Sequence, residues 1–137
     1  MDVSRGVRNK NPFNIKRSVS KWKGKVPHDL SIDSTFERFY DIEFGFRAGL
    51  ILLRNYIRKG YDTPDKIIKR FAPGTENNVG NYIDFVCDDI YLPKNCKLYF
   101  GDTTFYRLVY RMLLYESRFM LLKSRFDAIL QKFNIKL

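Results

Sequence analysis

From residue 41 to residue 133 apolar side chains return every three or four positions, whereas the first forty residues keep no such period. That contrast divides the chain into an irregular opening and a helical remainder. Asp41 is a candidate N-cap for a helix carrying Phe44, Ala48, Ile51 and Leu52 on one side, with Gly60 just past Lys59 as its stop. Thr63 caps a second helix, with Pro64 at its first position and Asp65 in its first turn, and Ala72-Pro73-Gly74 ends it. A third starts near Asn77 or Asn78 and gathers Val79, Tyr82, Ile83 and Val86 on one side, before Pro93 and Gly101 break the chain. Residues 104–119 predict a strong helix, and residues 124–133 a last one bearing Phe126, Ile129, Leu130 and Phe133. In the opening, Phe36 and Phe39 of TFERFY do not alternate strictly, so one short strand over residues 35–40 is all the pattern supports. The expected fold is mainly α: a single helical domain over residues 1–137, with a small β element or an extended N-terminal region.

One position breaks the helical pattern. The stripe Phe105, Leu108, Val109, Met112 and Leu113 continues on the same face to Glu116, which puts a carboxylate where the periodicity wants an apolar side chain. A carboxyl in a partly apolar site resists ionisation, stays protonated near neutral pH and can donate to a leaving oxygen. The plainer alternative is an exposed carboxylate paired with Arg111, Arg118 or Lys123. The opening raises a second question, because RNKNPFNIK, residues 8–16, is a polar knot where a small domain usually begins its first apolar element. Pro12 locks φ and asparagines close turns, so a fixed turn is expected there.

The 137 residues are 45% apolar and 16% aromatic, which suffices for one core. No run of eighteen apolar residues is present, and MDVSRGVRNKNPF lacks the hydrophobic segment of a secretory signal. A chain made in the cytoplasm without a membrane span is expected. Cys87 and Cys96 lack the spacing and the histidine partners of a zinc site, so two reduced thiols are expected, with a disulfide open to them only outside the cell. No metal or cofactor is called for. The formal charge of +10, from 25 Lys and Arg against 15 Asp and Glu, favours polyanionic partners: nucleic acid, an anionic lipid surface or an acidic wall polymer.

Two segments then carry a resemblance. YESRF, residues 115–119, is similar to the ESRF segment that ends the catalytic helix of soluble lytic transglycosylases in the lysozyme superfamily, where the Glu is acid and base. TENNVGNYIDFV, residues 75–86, is similar to that family's ET..YV..V segment, whose Tyr stands near the catalytic Glu. The order is reversed here, as a circular permutation would make it. More specifically, RGVRNKNPFNIK, KWKG, TFERFYDIEFGFRAG and RFAPGTENNVGNYIDFV resemble, over most of residues 5–86, a group of small phage virion proteins with lysozyme-like character.

The resemblance implies a lysozyme-like domain, peptidoglycan as substrate and partner, cleavage of its glycan strand, and Glu116 as the catalytic residue. It also implies contact with other virion proteins and delivery to the periplasm in a particle or through a holin. On this reading Asn9, Asn11 and Asn14 form a polar shelf beside Glu116 that binds sugar hydroxyls and N-acetyl groups. The neutral amide suits that role, since it both donates and accepts without a charge to desolvate. Trp22 and Tyr82 complete the substrate site, Glu37 and Glu43 are candidates for a second carboxylate, Glu76 is read as a helix cap, and His28 as a loop histidine. Phe13 stands where the family has Gly and Phe71 where it has Trp. If the family Gly serves a positive φ or a close backbone approach, Phe13 strains the knot and activity is lost. Two other functions stay open: a non-catalytic virion or wall-binding protein with the same fold, and a basic nucleic-acid-binding module.

Overall fold

The helical period after residue 41 becomes helices almost where the caps place them. A computed structural model describes residues 3–74, 76–88 and 92–137, and among these it contains six α-helices: α1 (Arg5–Arg8), α2 (Ile42–Arg58), α3 (Pro64–Phe71), α4 (Glu76–Val86), α5 (Thr103–Ser117) and α6 (Lys123–Lys132). The Asp41 side chain accepts from the Glu43 N–H at the start of α2, and Thr63 accepts from the Lys66 N–H at the start of α3. Asp102 caps α5, whose first helical residue is Thr103. Thr75 and the side chain of Glu76, the expected cap of α4, lie outside the described residues.

Helices α2 to α6 turn their apolar faces to one core, in which Phe46, Leu50, Ile67, Ile68, Val86, Phe105, Val109, Met112, Phe126 and Ile129 are all buried. Helix α4 packs between α3 and α5, while α2 meets α3 and α6. The mainly α fold of the sequence reading is what the structure has.

The first forty residues differ from expectation in two ways. They open with α1, a single turn capped by Ser4, and they contain a 3-10 turn at His28–Leu30. The strand expected over residues 35–40 is absent as a regular element; two isolated antiparallel bridges, Lys16 with Phe36 and Lys25 with Phe39, take its place. The cause lies in the hydrogen-bond partners. Thr35 O accepts from Arg17, Glu37 N donates to Ile15, Arg38 O accepts from Val26, Phe39 N donates to Asn9, and Tyr40 N donates to Gly24. One segment shared among several stretches of loop cannot build a continuous ladder.

Phe13 does not strain the knot. It is not among the residues with positive φ, and its ring is wholly buried, seated on Gly49 of α2 where a Cβ would clash with it. It meets Phe71 edge-on at 6.5 Å, so the two residues that depart from the resembled family pack against each other. The left-handed positions of the knot are Lys10, at φ 54°, and the residue after Phe13, Asn14, at φ 53°.

Candidate active site

The three asparagines of the knot separate once their partners are known. Asn9 Nδ2 donates to Asp33 Oδ2 at 2.8 Å, and the residue is 5% exposed. Asn11 is wholly buried; its Nδ2 donates to Ile15 O and Glu37 O, both at 2.9 Å, and its Oδ1 accepts from Ile15 N at 3.0 Å. Neither lines the cleft that Asn14 shares with Glu116, so no shelf of three is assembled. Their amides instead satisfy the buried groups of an irregular chain that has no ladder to do so. Asp33 anchors this work: the Arg5 guanidinium first, then the Phe36 N–H, Asn9 and the Thr35 N–H, hold its carboxyl well below the usual range.

Asn14 alone meets Glu116. Its Nδ2 donates to Glu116 O at 2.8 Å and to Glu116 Oε1 at 3.2 Å, and the adjoining Ser117 hydroxyl donates to Pro12 O. The end of α5 is thereby fastened to the knot on both sides of the peptide unit. Arg118 at φ 55° stops the helix two residues before the expected end, with Arg118 N bonded to Leu114 O and Phe119 N to Leu113 O, a left-handed helix close. Glu116 thus sits in the last turn, partly buried, as the stripe predicts, and not swung out to an arginine. Burial pushes its carboxyl above the ordinary value, and the Tyr82 phenol, the Asn14 amide and the Lys16 ammonium each pull it partly back.

Glu116 opens onto a cleft of about 560 Å³ lined by Asn14, Lys16, Trp22, Phe71, Tyr82 and Tyr115 among others. No other carboxylate among the described residues lines it. Glu116 and Tyr115 also border a separate hollow of about 580 Å³ shaped by Val3, Ser4, Val7 and Arg118.

Trp22 is partly buried and its indole N–H has no partner; Tyr82 is 2% exposed and its hydroxyl has none of ordinary geometry, although it adjoins the Glu116 carboxyl. Burial first, and then the Glu116 charge, raises the Tyr82 phenol well above its ordinary value. Tyr115 stacks on Tyr82 with centroids 3.9 Å apart and stays 41% exposed on the rim. The sequence reading did not single out Tyr115, although its place beside Glu116 in YESRF was a signal.

Glu37 and Glu43 are both engaged elsewhere. Glu37 is wholly buried, bound to Lys25 Nζ at 3.1 Å and His28 Nε2 at 2.7 Å, and it accepts from Ser18 N. His28 is therefore a partner of a buried acid. Glu43 pairs with Arg125 at 2.6 Å. Among the described residues no three His, Cys, Asp or Glu side chains are grouped to hold a metal ion, and no helix is long and apolar enough to cross a membrane. Cys87 and Cys96 are free thiols, and burial pushes the Cys87 thiol up to about 11.

No family model matches the chain. It is similar to Protein P5 of Pseudoalteromonas phage PM2, with 38% identity over 120 residues that span 85% of this chain and 72% of that protein. The chain belongs to the family of Protein P5. The phage character implied by the sequence resemblance holds at this level, and the relative's name states no activity.

Proposed function

We propose that the chain cleaves the glycan strand of peptidoglycan, with Glu116 as its acid and base in a lysozyme-like domain. The observation that carries this reading is a single, partly buried carboxyl of raised pKa in an aromatic cleft, next to the Tyr82 phenol and sharing the cleft with the Trp22 indole N–H, which lacks a partner. Buried polar groups are rarely left unpaired, and those that are call for a ligand or a role. Trp22 offers a ring face and its N–H to a sugar, and the Tyr82 hydroxyl reaches the N-acetyl group or the acid itself.

The reaction needs no second carboxylate. Glu116 gives its proton to the glycosidic oxygen as the carbon–oxygen bond breaks and the electron pair leaves with that oxygen. The deprotonated Glu116 then takes a proton from the attacking hydroxyl, either water or the muramic acid hydroxyl. A second acid set about 5–9 Å away marks most glycosidases, and Glu37 and Glu43 are bound in other networks. Carriage in a phage particle, or release through a holin pore, is the proposed route to the wall.

The test is zymography on purified peptidoglycan with wild type and Glu116→Gln. Wild type is expected to clear the wall and the variant to lose at least roughly a hundredfold in rate, the usual contribution of a positioned acid. Equal clearing by both rejects Glu116 as the acid. Mass spectrometry of the digest separates the two nucleophiles: an anhydro end follows attack by the muramic hydroxyl, a reducing end attack by water.

A further inference from the structure

We infer that Asn14 is a positioning residue that commits Oε1 of Glu116 as an acceptor and leaves Oε2 to carry the proton that is transferred. The inference rests on the catalytic reading of Glu116. The orientation of the Asn14 amide is settled by chemistry, since Glu116 O is a carbonyl and can only accept, so the group 2.8 Å from it must be the NH2. The same nitrogen also lies within hydrogen-bond distance of Oε1, 3.2 Å away, and can only donate to it. A proton on Oε1 would face an N–H, whereas a proton on Oε2 faces none from Asn14. The remaining groups around the carboxyl are the Tyr82 phenol and the Lys16 ammonium, neither of which replaces the grip on the backbone of Glu116.

The scaffold is built to hold Asn14 in place. Asn14 is in the left-handed region, which Asn tolerates better than most side chains, and its N–H donates to Asn11 O at 2.9 Å. Asn11 is itself locked on both sides of the knot. On the inner face, Asn14 Oδ1 and Ser117 Oγ occupy the space a Cβ at Gly6 would need, so α1 closes over the contact. Asn14 lines the cleft, but its Nδ2 is held by two acceptors of Glu116 and its Oδ1 is buried, so its effect on the reaction passes through Glu116.

The test combines kinetics on peptidoglycan with NMR titration. Asn14→Gly and Asn14→Asp both keep the left-handed backbone while removing the donor. The expected result is a fall in kcat of about tenfold or more with KM within about twofold, and a carboxyl 13C midpoint for Glu116 above that of wild type. In wild type itself, the Asn14 side-chain amide signals are expected to shift through the same midpoint as the Glu116 carboxyl. A rise in KM with kcat and the midpoint unchanged would make Asn14 a sugar ligand and overturn the inference. So would amide signals that ignore the titration, a result that needs no variant to fold. If wild type leaves peptidoglycan intact, the catalytic reading fails on its own, and the titration still decides whether Asn14 holds the carboxyl.

Discussion

Asparagine serves three different ends within six residues of this chain. Asn9 completes the shell of Asp33, Asn11 joins Ile15 to Glu37 through backbone groups, and Asn14 grips the acid. Their consequences on substitution should differ accordingly. Asn11→Ala strands the buried Ile15 N–H and the Glu37 carbonyl, at about 1–3 kcal/mol for each group left unpaired, while Ile15 O keeps the Glu37 N–H. Its midpoint in urea should fall by the equivalent of roughly 2–4 kcal/mol, and whatever protein remains folded should keep its rate on peptidoglycan. A large loss of rate with unchanged stability would place Asn11 at the substrate instead. All three residues look alike in RNKNPFNIK, because a side-chain amide advertises its capacity and not its partner. That is why a shelf of three was expected where only Asn14 reaches Glu116.

Helix α2 carries the knot, which lies against Gly45 through Lys10 and Pro12 and against Gly49 through Phe13. Only a residue without Cβ lets the Phe13 ring lie against the helix backbone. Gly49→Ala should therefore destabilise by about 1–3 kcal/mol through overpacking, and Phe13→Ala by roughly 3–5 kcal/mol through the cavity it leaves beneath Phe71. The two costs should not add, since removing the ring vacates the space the new methyl needs. Thermal or chemical unfolding of both single variants and the double checks this; strict additivity would mean that Phe13 and Gly49 do not share that space. The ends of α2, α3 and α5 illustrate how much of an element is written locally. Asp41, Thr63 and Asp102 each accept from an N–H two or three residues ahead, a range the sequence displays directly. The short strand failed because pairing is a property of two segments, and the partners of residues 35–40 are scattered over the first loop.

For the molecule as a whole, two carboxyls pull stability in opposite directions with pH. Asp33 titrates below its ordinary 3.8 in the folded chain, so its contribution is full above that value and is lost as pH falls through the lowered one. Glu116 titrates above its ordinary 4.5, so its contribution is full below that value and is lost as pH rises through the raised one. Melting temperature measured from acid to neutral pH should show Asp33→Asn flattening the acid limb and Glu116→Gln removing the decline on the upper one. An acid limb unchanged by Asp33→Asn would mean that the Arg5 cluster does not survive in solution.

The amino-acid order alone carried the positions of α2 to α6 to within a few residues, the caps Asp41 and Thr63, the mainly α class and the anomaly of an acid at Glu116 on an apolar stripe, because each depends on neighbours within a turn or two. Of the three asparagines the resemblance set beside Glu116, folding alone could show that only Asn14, 102 positions away, is its partner. It also turned Asn9, Asn11, Glu37 and Glu43 away from the cleft and brought Tyr115 to its rim. Contacts between distant residues depend on how whole elements pack, and no local pattern records that.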